Sequence, residues 1–148
     1  MKKYLRDLFS YQDAANKLVM EVLYPEKQQI SDYAYKMFTH VLMTQHVWQH
    51  RILKQPFDYE FWITLPLEEL EKLSAKNNTE IDDILNTMEL DQLISYTPIS
   101  GTEVYESKLM DILTHVSHHS SYHRGQIAKS IREAGLEPPR TDLILWRR

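Results

Sequence analysis

Apolar residues recur every three or four positions along most of this chain, which is the spacing that places them on one face of an α-helix. In the first segment the apolar positions are Leu5, Leu8, Phe9, Ala15, Leu18, Val19 and Val22. The stripe stops before Tyr24-Pro25, because a residue that precedes proline avoids helical backbone angles. The pattern therefore predicts a first helix over residues 3–23.

A second helix is predicted from Ser31, a residue type that caps helix N-termini well, to about Leu53, ahead of Pro56. Asp32 would be favourable in its first turn. Its apolar positions are Met37, Phe38, Val41, Leu42, Trp48 and Ile52. Residues 54–65 are rich in aromatic side chains but lack a helical period, which predicts a loop that packs over the helices.

A third helix is predicted from Pro66 to about Met88, weakened at Asn77-Asn78. Residues 90–106 mix β-branched and aromatic side chains around a Pro/Gly turn, which indicates a short β-hairpin. Ser107 is then the expected N-cap of a fourth helix that ends at Gly135. Four long amphipathic helices predict an all-α four-helix bundle with a short hairpin before the last helix.

The composition limits what such a bundle can do. A length of 148 residues and a hydrophobic fraction of 43% predict one domain over residues 1–148 with a substantial core. No run of about 18 apolar residues is present, so neither a membrane span nor a membrane partner is expected, and the protein is predicted to be cytoplasmic. The net charge of -4, with both signs interspersed, argues against direct nucleic-acid binding.

The chain has 7 histidines and no cysteine, so any metal must be held by imidazole and oxygen ligands. His119 and His123 are four residues apart, which places both imidazoles on one helix face. They interrupt the core-facing row Ile112, Val116, His119, His123, Ile127 and Ile131. Two buried histidines without partners would cost about 2–7 kcal/mol per unsatisfied group, and a metal ion would satisfy them.

His40 holds a matching position on the second helix, within the inward row Met37, His40, Thr44 and Val47. Bundle cores recruit metal ligands from facing helices in this way. We therefore predict that His40, His119 and His123 hold one divalent ion. Zinc and nickel are the first candidates, and iron, cobalt and manganese remain open because affinity order alone does not choose among them.

The other histidines are predicted to face solvent, loops or a subunit interface; they are His46, His50, His115 and His118. Of these, His115 and His46 are the residues most easily confused with the ligand set. Arg124 is interpreted as a solvated or paired surface charge, with anion binding or positioning of a ligand as the alternative for Arg124 and Gln126. Trp48 and Tyr122 are interpreted as packing residues.

Two stretches and the tail carry a family resemblance. The segment from His40 to Trp48, in which a histidine lies eight residues before a tryptophan, resembles the helix-2 signature of the DinB family. The stretch from His119 to Gln126 resembles that family's His-x-x-x-His-Arg-Gly-Gln segment, and residues 135–143 resemble its ending. His118 departs from the asparagine that is common there, but it would point about 100° away from His119 around the helix.

The resemblance implies an up-down-down-up bundle, often a homodimer, with a divalent metal held by the positions of His40, His119 and His123. Relatives with an assigned activity include thiol transferases that use bacillithiol or mycothiol and a maleylpyruvate isomerase. The favoured hypothesis is accordingly a metal-dependent thiol transferase that acts on a small-molecule thiol and an electrophile. The alternatives are a non-catalytic, stress-associated metal-binding or dimeric protein, and a metal-dependent hydrolase.

Overall fold

A computed structural model describes residues 1–25, 29–57 and 60–148 of the chain. The described elements, in chain order, are α1 (Lys2–Leu23), α2 (Asp32–Leu53), α3 (Leu67–Thr87), β1 (Leu93–Tyr96), β2 (Tyr105–Lys108), α4 (Leu109–Glu133) and α5 (Leu143–Trp146). All four predicted long helices are present within two residues of their expected bounds. Part of the predicted covering loop, residues 58 and 59, lies outside the described residues.

The helix ends follow local backbone chemistry. Ser31 is the N-cap of α2 as predicted, and Lys54 ends that helix in the left-handed conformation with φ 54°. Gly135 follows α4 with φ 80°. Its N–H donates to the Arg132 carbonyl, and the Leu136 N–H donates to the Ile131 carbonyl. This pair of bonds is a Schellman motif, which favours glycine because the motif requires a positive φ.

The fourth helix does not begin where the sequence indicated. Ser107 was expected to cap it, but Ser107 lies in β2 opposite Ile94 of β1. The antiparallel pairing of residues 93–96 with residues 105–108 occupies the backbone groups that a cap at Ser107 would need. Lys108 is the N-cap instead, and α4 starts one residue later. The short helix α5 was not predicted.

The contacts between helices define an up-down-down-up bundle, as the resemblance implied. Arg6 near the start of α1 bonds Asp82 near the end of α3, so these two helices are antiparallel. Gln49 near the end of α2 bonds the Asn77 carbonyl, and residues near the start of both helices share one core cluster, so α2 and α3 are parallel. Helix α4 runs antiparallel to α2, which brings the middle of each helix opposite the other.

The interior has two apolar ends and a polar middle. One core cluster joins the end of α1, the first half of α2, the start of α3 and the end of α4. The other joins the start of α1, the ends of α2 and α3 and the start of α4. Between them lie buried polar side chains from all four long helices: Gln12, Asn16, Gln45, His46, Gln49, His50, Ser74, Asn77, Ser117, Ser120 and Arg124. The predicted histidine site lies at this polar level.

Two sequence expectations about the interior are settled here. Helix α3 continues through Asn77, whose buried Nδ2 donates to the Leu42 carbonyl at 2.9 Å, so the predicted weak point is an attachment of α3 to α2. Trp48 packs against the second core cluster, as expected, and its ring meets Tyr96 edge-on at 4.8 Å.

Within the described ranges, no helix is both long and apolar enough to cross a membrane.

Candidate metal centre

Helices α2 and α4 bring together the three histidines that the sequence singled out. His40 comes from the first half of α2, and His119 and His123 lie one turn apart on α4. The flanking members of the α4 row, from Ile112 to Ile131, are buried as the pattern predicted. Because α2 and α4 pack against each other at this level, the imidazoles project into one space between the two helices.

The three imidazoles are close enough to share one ion. His40 Nε2 and His119 Nε2 are 3.1 Å apart, and the centroid of the His40 ring is 4.9 Å from those of both His119 and His123. One nitrogen from each ring can be chosen so that all three lie within 4.8 Å of one another. Within the described part of the chain, no carboxylate belongs to this group.

Burial keeps two of these rings neutral. It lowers the pKa of His40 from 6.5 to about 4, with a further contribution from nearby His123. It also lowers the pKa of His119 to about 3, where His123, His40 and His115 add to the effect of burial. A neutral imidazole retains the lone pair that a metal ion needs, so both rings are in the ligand-competent form at neutral pH.

Gln126 positions one of the three rings. Its Oε1 can only accept, so the 2.8 Å contact places the proton of a neutral His123 on Nδ1 and leaves Nε2 free to bind. Ligand histidines are commonly oriented by such a bond. His40 Nδ1 and His119 Nδ1 are buried and have no hydrogen-bond partner within the described residues. The alternative considered for Gln126, positioning a ligand, therefore agrees with its contact.

An aromatic wall covers His40. The Trp62 ring stacks on it with centroids 4.6 Å apart and planes 7° from parallel, and the Phe61 ring meets it edge-on at 5.2 Å. The loop was expected to cover the bundle in general, and these two residues cover the histidine cluster. Tyr122 was interpreted as packing, but it is exposed and contacts His123 edge-on at 5.1 Å.

The distance between the imidazole nitrogens fits a shared divalent ion. Two imidazole nitrogens that each bind one zinc at about 2.0–2.1 Å are about 2.8–3.4 Å apart for bond angles between 90° and 109°. The 3.1 Å between His40 Nε2 and His119 Nε2 falls in this interval. An all-imidazole donor set suits zinc, nickel, cobalt or iron(II) better than magnesium or calcium. These residues therefore fit a transition-metal ion.

Arg124 is not the surface charge that the sequence suggested. It is 3% exposed, and its guanidinium donates to Gln12, Asn16, Tyr11 and Ser121. All four acceptors are neutral, and burial lowers the pKa of Arg124. The interpretation failed because three of these acceptors are on α1, more than a hundred residues away in sequence. Arg124 thus joins α4 to α1.

The remaining histidines divide into two pairs. His115 and His118 are exposed, as expected, and neither belongs to the group around His40. His46 and His50 do not face solvent, because both are buried against Glu80 of α3, but His50 also contacts the loop after α2 through the Pro56 carbonyl, which was one of the expected surroundings. They have the same i,i+4 spacing that drew attention to His119 and His123, so the signal was present. The acidic partner on α3 could not be identified from that spacing.

The residue that follows His119 bears on a hydrolytic interpretation. A zinc peptidase of the His-Glu-x-x-His type needs a glutamate base at this position, and the chain has Ser120. Ser120 is buried, and its hydroxyl donates to the Val116 carbonyl at 3.0 Å. It therefore points along its own helix rather than supplying a base to the cluster.

Comparison with known proteins agrees with the motifs and the geometry. The model of the DinB family matches residues 8–147, which is nearly the whole chain. A comparison with curated proteins found no match. The match covers all three histidines and the helices that carry them. This chain therefore belongs to the DinB family.

Proposed function

We propose that the chain is a metal-dependent enzyme in which His40, His119 and His123 hold one divalent ion and a thiol is activated for transfer to an electrophile. The observation that carries this proposal is the convergence of three imidazoles from two helices, with two Nε2 atoms 3.1 Å apart. Three protein ligands without a fourth in the described part of the chain are typical of catalytic zinc sites, which keep a position for an exogenous ligand.

The chain's own residues would define the site. His40, His119 and His123 would be the ligands, and Gln126 would fix the tautomer and orientation of His123. A bound divalent ion would lower the pKa of a thiol or a water molecule and so make a nucleophile available near neutral pH. Because the ligand group contains no carboxylate within the described residues, no acidic ligand would offset the positive charge that acts on that nucleophile.

The surroundings favour an apolar electrophile. Trp62 and Phe61 form an aromatic wall beside His40, and the Trp62 side chain is itself exposed, so one face of the wall is open to an incoming molecule. Exposed Tyr122 contacts His123. Aromatic side chains flanking an ion position suit a substrate with an apolar body and one reactive carbon.

A hydrolase and a non-catalytic metal protein are the competing hypotheses. Ser120 weakens the first, because it takes the place of the glutamate that a His-Glu-x-x-His peptidase uses. The open ligand set weakens the second, since structural zinc sites have four protein ligands. A small-molecule thiol as substrate and a second copy of the chain as partner remain predictions from the resemblance.

The test combines metal analysis with a transfer assay. The full-length protein, loaded with zinc or nickel, is mixed with a low-molecular-weight thiol and an aryl halide. In the reaction the sulfur–carbon bond forms, the carbon–halogen bond breaks, halide leaves, and the thiol proton passes to buffer. The proposal predicts metal-dependent turnover by the wild type, loss of turnover in His123→Ala, and unchanged turnover in the control His118→Gln, which alters an exposed histidine outside the cluster.

Two results would contradict the proposal in different ways. A His123→Ala variant that retains both the metal and the activity would show that the ligand assignment is wrong. A wild type that binds metal, shows no turnover with a panel of thiols and electrophiles, and unfolds when a chelator is added would support the structural-ion hypothesis.

A further inference from the structure

A second cluster of metal-ligand side chains lies on the other side of α2. His46 and His50 are one turn apart on that helix, with ring centroids 3.9 Å apart, and Glu80 of α3 faces both. One ligand atom from each of the three residues lies within 4.8 Å of the other two. The side chains of His46, His50 and Glu80 are 11%, 9% and 13% exposed, so the cluster is buried but can be reached from solvent.

The bond from His50 to the loop fixes where its lone pair points. His50 Nδ1 lies 2.8 Å from the Pro56 carbonyl oxygen, which can only accept, so Nδ1 carries a proton. In the neutral ring Nε2 is then a bare acceptor, and it lies 3.3 Å from the carboxylate oxygen Oε1 of Glu80. Two acceptors face each other across this gap, and a proton or a metal ion between them would join them. Lys76 Nζ, 3.7 Å from the same oxygen of Glu80, supplies one positive charge to the carboxylate from α3.

His46 completes the arrangement. Its Nδ1 is 3.8 Å from Glu80 Oε2, too far for a hydrogen bond, and neither atom has a hydrogen-bond partner within the described residues. One buried imidazole nitrogen, His46 Nδ1, and one buried carboxylate oxygen, Glu80 Oε2, thus lack a hydrogen-bond partner within the described residues, which is costly unless a ligand satisfies them.

We propose that His46, His50 and Glu80 form a second site for a divalent transition-metal ion. Two imidazoles and one carboxylate are a ligand set of zinc and of non-haem iron(II) proteins. A nitrogen and an oxygen that each bind one ion at about 2.0–2.2 Å are about 2.8–3.6 Å apart for bond angles between 90° and 109°. The 3.3 Å between His50 Nε2 and Glu80 Oε1 falls in this interval.

The second site is separate from the one around His40. His46 lies six positions after His40, which corresponds to about 9 Å along the helix and about 120° around it. The first cluster faces α4 and the second faces α3. An ion held by His46, His50 and Glu80 would join α2, α3 and, through the Pro56 carbonyl bonded to His50, the loop that follows α2.

The experiment counts metal ions per chain. Full-length protein is stripped with a chelator and dialysed against zinc alone, and bound zinc is measured by elemental analysis. We expect two zinc ions per chain in the wild type, one in Glu80→Gln, one in His119→Gln, and none in the double variant. The controls His118→Gln and Glu71→Gln, which alter an exposed histidine on α4 and an exposed carboxylate on α3, are expected to retain two.

The zinc counts of the variants distinguish failure of this proposal from failure of the proposed function. If the wild type binds one zinc that His119→Gln abolishes and Glu80→Gln leaves in place, the second site is refuted and the first stands. If His119→Gln leaves the count unchanged while Glu80→Gln lowers it, the second site stands and the first is refuted.

A further variant and a second readout guard against misfolding. His46→Gln removes one ligand without changing the charge of Glu80, and it is expected to lose the same ion as Glu80→Gln. In the His119→Gln background, zinc is expected to raise the melting temperature, and adding His46→Gln should abolish that rise. A rise that persists in the double variant would overturn the proposal.

Discussion

The two histidine clusters lie on different faces of α2 and differ in the charge of what they face. His40 meets two further imidazoles from α4, whereas His46 and His50 meet the carboxylate of Glu80 from α3. An aromatic wall covers the first cluster, and a backbone carbonyl of the next loop holds the second. One helix therefore presents the same residue type to two different environments.

The presence or absence of a carboxylate indicates which cluster is better suited to activate a bound nucleophile. An ion among neutral imidazoles retains its full positive charge and attracts an anionic nucleophile such as a thiolate. An ion beside a carboxylate carries a lower net charge and acts more weakly on a bound nucleophile, and an ion at the second cluster would also join α2, α3 and the loop after α2. We therefore expect a reactive ion between α2 and α4 and a stabilising ion between α2 and α3, and four predictions test this division.

The largest effect is expected from His119→Gln. This change removes the imidazole in closest contact with His40 and should weaken zinc binding at the first cluster by more than the about 10–100-fold that loss of a supporting partner costs. The second cluster should retain its affinity. Competition with a chromophoric chelator measures both. An equal loss at the two clusters would show that they are not independent.

The next effect is on the pH dependence of stability in the metal-free protein. The folded pKa values of His40 and His119, about 4 and about 3, lie below the ordinary 6.5, so unfolding takes up protons as the pH falls below about 6.5. Stability should be fully present above pH 6.5 and should fall on acidification, with an uptake of up to about two protons from these rings.

A double variant isolates that contribution. His40→Gln/His119→Gln should show a shallower fall of the unfolding free energy between about pH 6.5 and pH 4 than the wild type. Urea denaturation at a series of pH values gives the slope for each protein. Identical slopes would mean that these two rings are not held neutral by burial.

A smaller and one-sided effect is expected from Asn77→Ala. The Asn77 side chain is 1% exposed and donates to the Leu42 carbonyl, so the change removes a buried hydrogen bond at a cost of about 0.5–1.5 kcal/mol of unfolding free energy. Because Asn77 joins α3 to α2, zinc affinity should fall at the second cluster only. Urea denaturation and zinc titration measure these two effects.

The matched control is Asn86→Ala on the same helix. Asn86 is exposed and bonds Arg6 at the surface, so its loss should change stability by no more than about 0.5 kcal/mol. Equal destabilisation by the two alanine variants would remove the role assigned to Asn77.

An effect confined to metal binding is expected from Gln126→Leu, which removes the acceptor bonded to His123 Nδ1 while keeping the side chain about the same size. Zinc affinity at the first cluster should fall about 10–100-fold, and the second cluster should be unchanged. Glu133→Gln, an exposed change on the same helix, is the control. Unaltered zinc affinity in Gln126→Leu would mean that His123 does not need this bond.

The sequence was most informative where local chemistry decides the structure. Ser31, Gly135 and the residues before Pro25 marked helix ends correctly, because capping and left-handed backbone depend on adjacent residues. The inward row on α4 likewise placed His119 and His123 on the helix face that packs against α2. Ser107 was misassigned because its strand pairing with Ile94, thirteen residues earlier, outweighs its preference for a cap.

Features that depend on a distant partner were not predictable from one sequence. The neutral acceptors around Arg124 come mainly from α1, so a residue read as a surface charge is in fact buried. Glu80 belongs to a helix whose register against α2 is set by packing, so the second cluster could not be assembled from the spacing of His46 and His50. Spacing finds residues on one helix face, and packing decides what they face.

The central claim is that three imidazoles hold a reactive ion, and a crystal structure of the metal-loaded protein with anomalous scattering tests it most directly. The account predicts one anomalous peak shared by His40, His119 and His123, with at least one exchangeable non-protein ligand completing its coordination. A peak that is absent from this cluster, or an ion enclosed by a fourth protein ligand, would contradict it.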